Sequence, residues 1–285
     1  MRSLRERISS RQPQRQRIGL RRALRHWWLF VRIGWRSRAI YRADILLWAL
    51  GIVVINLADL ALLGVLLRTF TSLGGWSIWE IVYLYCAFLA ALGLQQLFTW
   101  RFIFIQDYVQ EGTLDPLLLR PSPTLLQIAG SELAYKDLAH IGLGLAGIAV
   151  AATRIGLPWT PSRLAWLVVL LTSGAVVLGG ITLSLCSLAF WTIRSRVFLS
   201  GTEELQELFQ HFPAHIFGNW FLRLTSTVLP FAFVNYYPTL ILLGRADQAP
   251  SPLLAYATPL MALVVAGVAL GIWRLGLRRY QSTGS

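Results

Sequence analysis

Apolar residues gather along this chain into five blocks, at about 45–67, 79–104, 133–153, 164–192 and 253–273. A helix needs about 20 mostly apolar residues to cross the hydrocarbon core of a bilayer, and each block meets that length. Between the second and third blocks the pattern turns polar in QDYVQEGTLDPLLLRPSP, residues 106–123. This stretch carries Asp107, Glu111 and Asp115, a Gly112 able to end a helical turn, a leucine run, and then Arg120 with Pro121 and Pro123 to stop any helix. It reads as a short amphipathic helix and turn at a membrane surface.

Residues 196–243 are long enough for a sixth span, yet Glu203, Glu204, Glu207, Pro213, Arg223, Pro230 and Pro238 interrupt them. Two registers compete. In the first, residues 202–212 form a surface helix with Leu205, Leu208, Phe209 and Phe212 on one stripe, and residues 217–243 cross the membrane. In the second, residues 196–214 are the fifth span and residues 217–245 form a hairpin that dips in from the outer face. Hydropathy favours the first, because three glutamates in lipid are opposed by several kcal/mol. The prolines and the polar-aromatic set Asn235, Tyr236, Tyr237 and Pro238 favour the second. The second register is adopted, with Glu203 and Glu207 on a protein-facing surface and Pro230 and Asn235 to Pro238 near an outer gate. It makes Asn219 and Asn235 accessible to reagents added outside.

Composition fixes the solvent. Of 285 residues 55% are hydrophobic and 14% charged, with 12 tryptophans, which describes an all-α polytopic membrane protein. The net charge of +13 is an N-terminal property. Residues 1–42 hold 13 arginines against Glu6, while the rest of the chain is nearly neutral. Arg25, Trp27, Trp28, Arg32 and Trp35 interleave in the manner of an interfacial helix on anionic lipid, which displaces a nucleic-acid reading of the arm. Two units follow: an arm at 1–42 and a membrane domain at 43–285. Arginine-rich and arginine-poor loops alternate so that both termini and residues 106–123 face the cytoplasm, which requires an even number of spans.

Chemistry is sparse. His211 and His215 have metal-pair spacing, but Pro213 separates them. Cys86 and Cys186 sit in apolar runs and read as small core residues. No phosphate loop, nucleophile elbow or carboxylate pair is present, so the chain is not itself read as an enzyme and no cofactor is expected on it. Asp59, with Asn56 one turn before it, lies inside the first span, where an ionisable group is costly, and is either functional or tied to a hydroxyl or arginine of a neighbouring helix. Gln95 and Gln96 read as interhelical hydrogen-bonding groups.

YRADILL at 41–47, EGTLDPLLLRP at 111–121, LAFW at 188–191 and VLPFAFVNYYPTLILLGR at 228–245 together resemble the ABC type-2 exporter permeases of bacteria, over the chain from about Tyr41 onward. The resemblance implies six spans forming half of a membrane dimer in the bacterial inner membrane. It implies a separate ATPase subunit carrying ATP and Mg, and a coupling helix seated in that subunit's groove. Carried over, Tyr108, Glu111, Leu114, Asp115 and Arg120 become the contact residues, and Asp59, Glu203 and Glu207 pathway candidates. The cargo expected is amphipathic or lipid-like. A stand-alone secondary transporter or channel is the alternative, although the inverted repeats it would need are not seen.

Spin labels at Leu24, Trp27, Trp28 and Val31 are expected to report lipid contact on one face of the arm. Uniform exposure to water at all four would exclude the interfacial helix.

Overall fold

The computed structural model describes residues 42–69, 73–192 and 195–281. The arm, with Arg25, Trp27, Trp28, Arg32 and Trp35, lies outside the described residues. Those residues form twelve α-helices joined by short 3-10 turns: α1 Arg42–Thr69, α2 Ile78–Thr99, α3 Ile105–Gln110, α4 Leu114–Leu119, α5 Thr124–Ser131, α6 Leu138–Ile155, α7 Pro161–Ser187, α8 Arg196–His211, α9 Gly218–Thr227, α10 Tyr236–Leu242, α11 Pro252–Tyr256 and α12 Thr258–Arg279. Five stretches are long and apolar enough to cross a membrane: Ala43–Val65, Ile78–Gln110, Tyr135–Ile155, Pro161–Phe190 and Thr258–Arg279. They correspond to the five apolar blocks of the sequence.

Contacts between helices give each one a direction between two ends of the bundle, one marked by Trp76 and the other by Gln106. Helix α2 starts beside Trp76 with a capping box: Ser77 Oγ accepts from the Glu80 amide at 3.4 Å, and Glu80 Oε2 accepts from the Ser77 amide at 2.7 Å. It descends to the Gln106 end. Helix α6 climbs back beside it, with the Ala134 amide bonded to Leu97 O near its start and Arg154 over the Trp79 ring near its finish. Helix α1 climbs as well. Its Trp48 ring meets the Lys136 ammonium, which also lies 4.7 Å from the centroid of Trp100, and higher up Asn56 Oδ1 accepts from Tyr85 OH at 2.8 Å. Helices α7 and α12 both descend, and at the foot of the pair the Phe190 and Trp273 rings lie 5.3 Å apart. The described chain therefore enters and leaves the bundle at the same end.

Helix α2 is the axis. Two-thirds of its most apolar stretch is buried, against 6% for α1. Small residues let its neighbours approach: a side chain at Gly144 of α6 would meet the Ala90 amide and the Cys86 carbonyl at 2.7 Å, both backbone atoms of α2. On another face of α2, Gly174 of α7 meets the Ala91 side chain and the Val234 carbonyl. Gln95 does not bond across helices: its Nε2 donates to Thr99 Oγ1 of its own helix at 2.7 Å.

Residues 196–243 are helical, but in pieces. Helix α8 starts where Ser195 Oγ donates to Gln106 Oε1 at 3.0 Å and is followed by His215, whose Nε2 donates to Gly74 O at 2.9 Å. It thus runs from one end of the bundle to the other. Beyond Gly218, at φ 87°, α9 and α10 flank a break from Val228 to Asn235, so no continuous helix covers 217–243. From Pro230 onward the break is buried: Asn235 Nδ2 donates to Phe209 O at 2.8 Å, and Arg245 brings the chain back to the Trp76 end beside Gly75 and Glu80. Thr202, Phe209 and Gln210 form the buried face of α8. Glu203, Glu204 and Glu207 are exposed on the other face. This corrects the expectation that Glu203 and Glu207 turn into their own bundle, because Phe209 and Gln210 already fill the side that packs on α1 and α2.

A direct test of this packing compares two glycines of α6. Gly144→Ala is expected to destabilise the detergent-solubilised protein by about 1–3 kcal/mol, since backbone on α2 must move. Gly142→Ala, which meets nothing within 4 Å, is expected to be neutral or to stabilise by up to about 1 kcal/mol through helix propensity. Equal thermal midpoints for the two variants would contradict the close approach.

Candidate functional site

At the Gln106 end α2 does not stop. It tightens into a 3-10 turn at Trp100–Phe104, resumes as α3, and breaks at Gly112, whose φ of 69° suits a residue without a side chain. After the break the Asp115 amide bonds Gly112 O at 3.1 Å and α4 begins. Arg120 ends α4 in extended conformation, φ −76° and ψ 147°, as the residue before Pro121 is driven to do. Gln127 of α5, 3% exposed, then closes the elbow by donating from Nε2 to Leu117 O at 2.9 Å and Ser122 O at 2.7 Å.

The underside of this elbow is a core. Ile105, Leu114 and Ile128 are fully buried against Leu183 and Cys186 of α7 and Ala269 and Trp273 of α12, with Leu117, Leu125 and Phe190 packed around them. Burying that much apolar surface at about 25 cal/mol per Å² makes the elbow an extension of three membrane helices and not a loose connector. Its outer surface is another matter. Glu111, Thr113, Pro116, Leu118 and Arg120 are exposed there, and Leu119 is 86% exposed.

The five expected contact residues are thus distributed unevenly. Glu111 and Arg120 face outward. Tyr108 is half-buried, its hydroxyl accepting from Arg101 Nη2 at 3.3 Å, while Arg101 Nη1 pairs with Glu132 at 3.3 Å. Tyr108 and Glu111 line one cavity of about 210 Å³ with Arg101, Phe104, Asp107 and Thr113. Asp115 is half-buried beside Tyr280, and burial together with the Asp115 carboxylate holds the Tyr280 phenol above its ordinary value. Leu114 requires correction: at 0% exposure it anchors the elbow inward and has no surface to offer a partner. Leu118 and Leu119, missed by sequence reasoning, take its place. The signal was available, since three consecutive leucines in a six-residue helix point 100° apart and cannot all face the core.

At the opposite end Trp76, fully buried, is caged by His215 at 6.0 Å, Tyr236 at 6.1 Å and the Arg245 guanidinium at 5.7 Å, and its Nε1 donates to Gln248 at 3.0 Å. Arg245 pairs with Glu80 at 2.9 Å. The expected gate residues are all packed into this half of the molecule: Pro230, Asn235, Tyr236, Tyr237 and Pro238 are buried, Tyr237 OH lies 2.8 Å from Ser226 Oγ, and Pro238 O accepts from Trp166 Nε1 at 3.1 Å. Asn235, at 0% exposure, is not reachable by an aqueous reagent in this conformation, whereas Asn219 is exposed. That corrects the expectation for Asn235, whose Nδ2 is turned inward to donate to Phe209 O and Leu84 O.

Asp59 is half-buried, with Oδ2 3.5 Å from Tyr85 OH beside the shorter Asn56 bond. It is tied to the neighbouring helix. His211 and His215 point apart, to Glu207 O and Gly74 O, and no cluster of three metal-ligating side chains occurs among the described residues.

A helical bundle with five stretches, among the described residues, long and apolar enough to cross a bilayer defines a membrane protein. The chain belongs to the ABC-2 family transporter proteins, whose family model matches residues 53–284. It is a membrane-spanning permease subunit of an ABC transporter, a type of chain that works with an ATPase subunit. Comparison with curated proteins and with solved structures finds no match.

Proposed function

We propose that this permease subunit exports an amphipathic or lipid-like substrate, driven by ATP hydrolysis with Mg on a separate nucleotide-binding subunit, and that the α3–α4 elbow is where that subunit grips. In this reading the Gln106 end is cytoplasmic, both termini lie on that side of the bacterial inner membrane, and α9–α10 form a hairpin re-entering from the outer face. A second permease chain, identical or related, completes the pathway and covers the exposed glutamates of α8. Charged side chains at the bilayer centre cost about 2.5–3.5 kcal/mol each, which favours water or protein over lipid against Glu203, Glu204 and Glu207.

The observation that carries the proposal is the two-sided elbow. Its inner side is fused to the ends of α2, α7 and α12, while Glu111, Leu118, Leu119 and Arg120 stand exposed on its outer side, an apolar knob rimmed by one charge of each sign. Such a knob suits a groove on a partner. Force applied there reaches the spans without passing through a flexible joint, and closure of the ATPase pair tilts the helices as near-rigid rods.

Glu111→Arg and Leu119→Asp are expected to leave insertion intact while weakening ATPase-subunit binding by about 2–3 kcal/mol, roughly 30- to 150-fold in Kd. Transport in proteoliposomes falls with it. Ser162→Arg, at the opposite end, leaves both unchanged. Wild-type binding and transport in the two elbow variants would reduce the elbow to a connector.

A further inference from the structure

A second feature adjoins the elbow's core, sharing Leu183 and Ala269 with it, and does not depend on the export reading. Helices α2, α7 and α12 do not close completely on one another, and between them lies a cavity of about 470 Å³ open to the side of the bundle. It exists because its floor is made of residues with almost no side chain, Ala175 and Gly179 of α7 and Ala266 and Ala269 of α12. Its rim is made of Phe98, Val176 and Leu270, exposed by 37, 43 and 39%.

The wall offers nothing to water. Its polar side chains are satisfied along their own helices: Gln95 Nε2 donates to Thr99 Oγ1 at 2.7 Å, Thr99 Oγ1 donates to Gln95 O at 2.8 Å, and Thr172 Oγ1 donates to Val168 O at 2.7 Å. A volume of this size would hold on the order of fifteen waters, each needing two or more polar partners that the wall does not supply. An apolar occupant is required.

Length and depth say which one. Along α7 the cavity extends from Thr172 to Leu183, a rise of about 17 Å at 1.5 Å per residue, close to half of a ~30 Å hydrocarbon core. Spread over that length, its volume corresponds to a slot about 6 Å across, room for one hydrocarbon chain at van der Waals contact. On α2 it reaches Thr99, the last residue before the turn at Trp100, so the slot belongs to the leaflet at the Gln106 end. We infer that it is a binding site for a single acyl chain of a phospholipid from that leaflet, held between α2, α7 and α12.

The test reconstitutes the full chain in phosphatidylcholine–phosphatidylglycerol vesicles containing a phospholipid with a mid-chain diazirine, without nucleotide or ATPase subunit, so that ordinary bilayer lipid is the only probe. After illumination, peptide mass spectrometry is expected to find adducts on Phe98, Val176 and Leu270 several-fold above those on Leu263, which is 71% exposed on the open face of α12. The double variant Gly179→Leu, Ala266→Leu is expected to cut the slot adducts at least fivefold and leave Leu263 unchanged. A Cβ at Gly179 meets only Thr99 and Gln95 side-chain atoms at 3.4 Å and beyond, so the larger residue enters the slot. Even labelling of rim and open face in the wild type overturns the inference whatever the variant does, and so does rim labelling that survives filling.

Discussion

The whole arrangement hangs on the burial of α2. It is the one membrane-crossing helix that protein surrounds over most of its length, with α6, α7 and α8 all seated on it. Lipid tails are as apolar as leucine, so hydrophobicity alone does not press helices together here, and close backbone approach has to do it. Gly144 supplies that approach to the Cys86 and Ala90 backbone, and Gly174 lets α7 close on the Ala91 side chain and the Val234 carbonyl. The two ends of α2 then become mechanically significant. One runs without a loose joint into the elbow, and the other is capped by Ser77 and Glu80, where Arg245 ties it to the segment that follows α10. In the proposed reading, a displacement at the elbow is thereby delivered to the Trp76 cage.

Hydrocarbon forbids unsatisfied backbone, which explains how the broken region between α8 and α12 survives. Between α9 and α10 the chain is buried from Pro230 to Asn235, where Asn235 Nδ2 reaches backbone oxygens of both α2 and α8, while Val228 at the start of the break is exposed. Asn235 Nδ2 fills the acceptor at Phe209 O, for which Pro213, four residues on, has no N–H to offer, and Trp166 Nε1 donates to Pro238 O. The residues that looked like a polar gate are therefore first of all the packing that permits the break.

How much of this was legible in the sequence depends on what sets each feature. The five spans and the elbow were readable because local rules decide them: apolar length for the spans, and Gly112, Arg120 before Pro121, and Pro123 for the turns. Arginine placement calls for an even number of crossings; five stretches among the described residues are long and apolar enough to cross, and the described chain starts and finishes at one end of the bundle. Facing was not readable. Leu114 and Leu119 are both leucines of one short helix, and only the presence of Trp273 and Ile128 on one side decides that the first is buried and the second exposed. For α8 the amphipathic stripe was visible, but an amphipathic helix inside a membrane protein can turn its polar face into its own bundle or away from it, and the packing of Phe209 and Gln210 turns it away. Asp59 illustrates the same limit: its carboxylate is notable in the sequence, while the tie to Tyr85 needs the register of two helices.

The central claim is that the elbow moves with the membrane helices as one body. Spin labels at Leu119 on the elbow and Leu275 on α12 measure it by double electron–electron resonance in the assembled transporter, with and without ATP trapped on the partner. The account predicts that the Leu119–Leu275 distance within a protomer stays constant to within about 2 Å, while the Leu119–Leu119 distance across two identical protomers, or the distance between Leu119 and a label on a related partner, changes by more than about 5 Å. A change within the protomer with none between protomers would contradict it, because the elbow would then swing on its own and carry no motion to the spans.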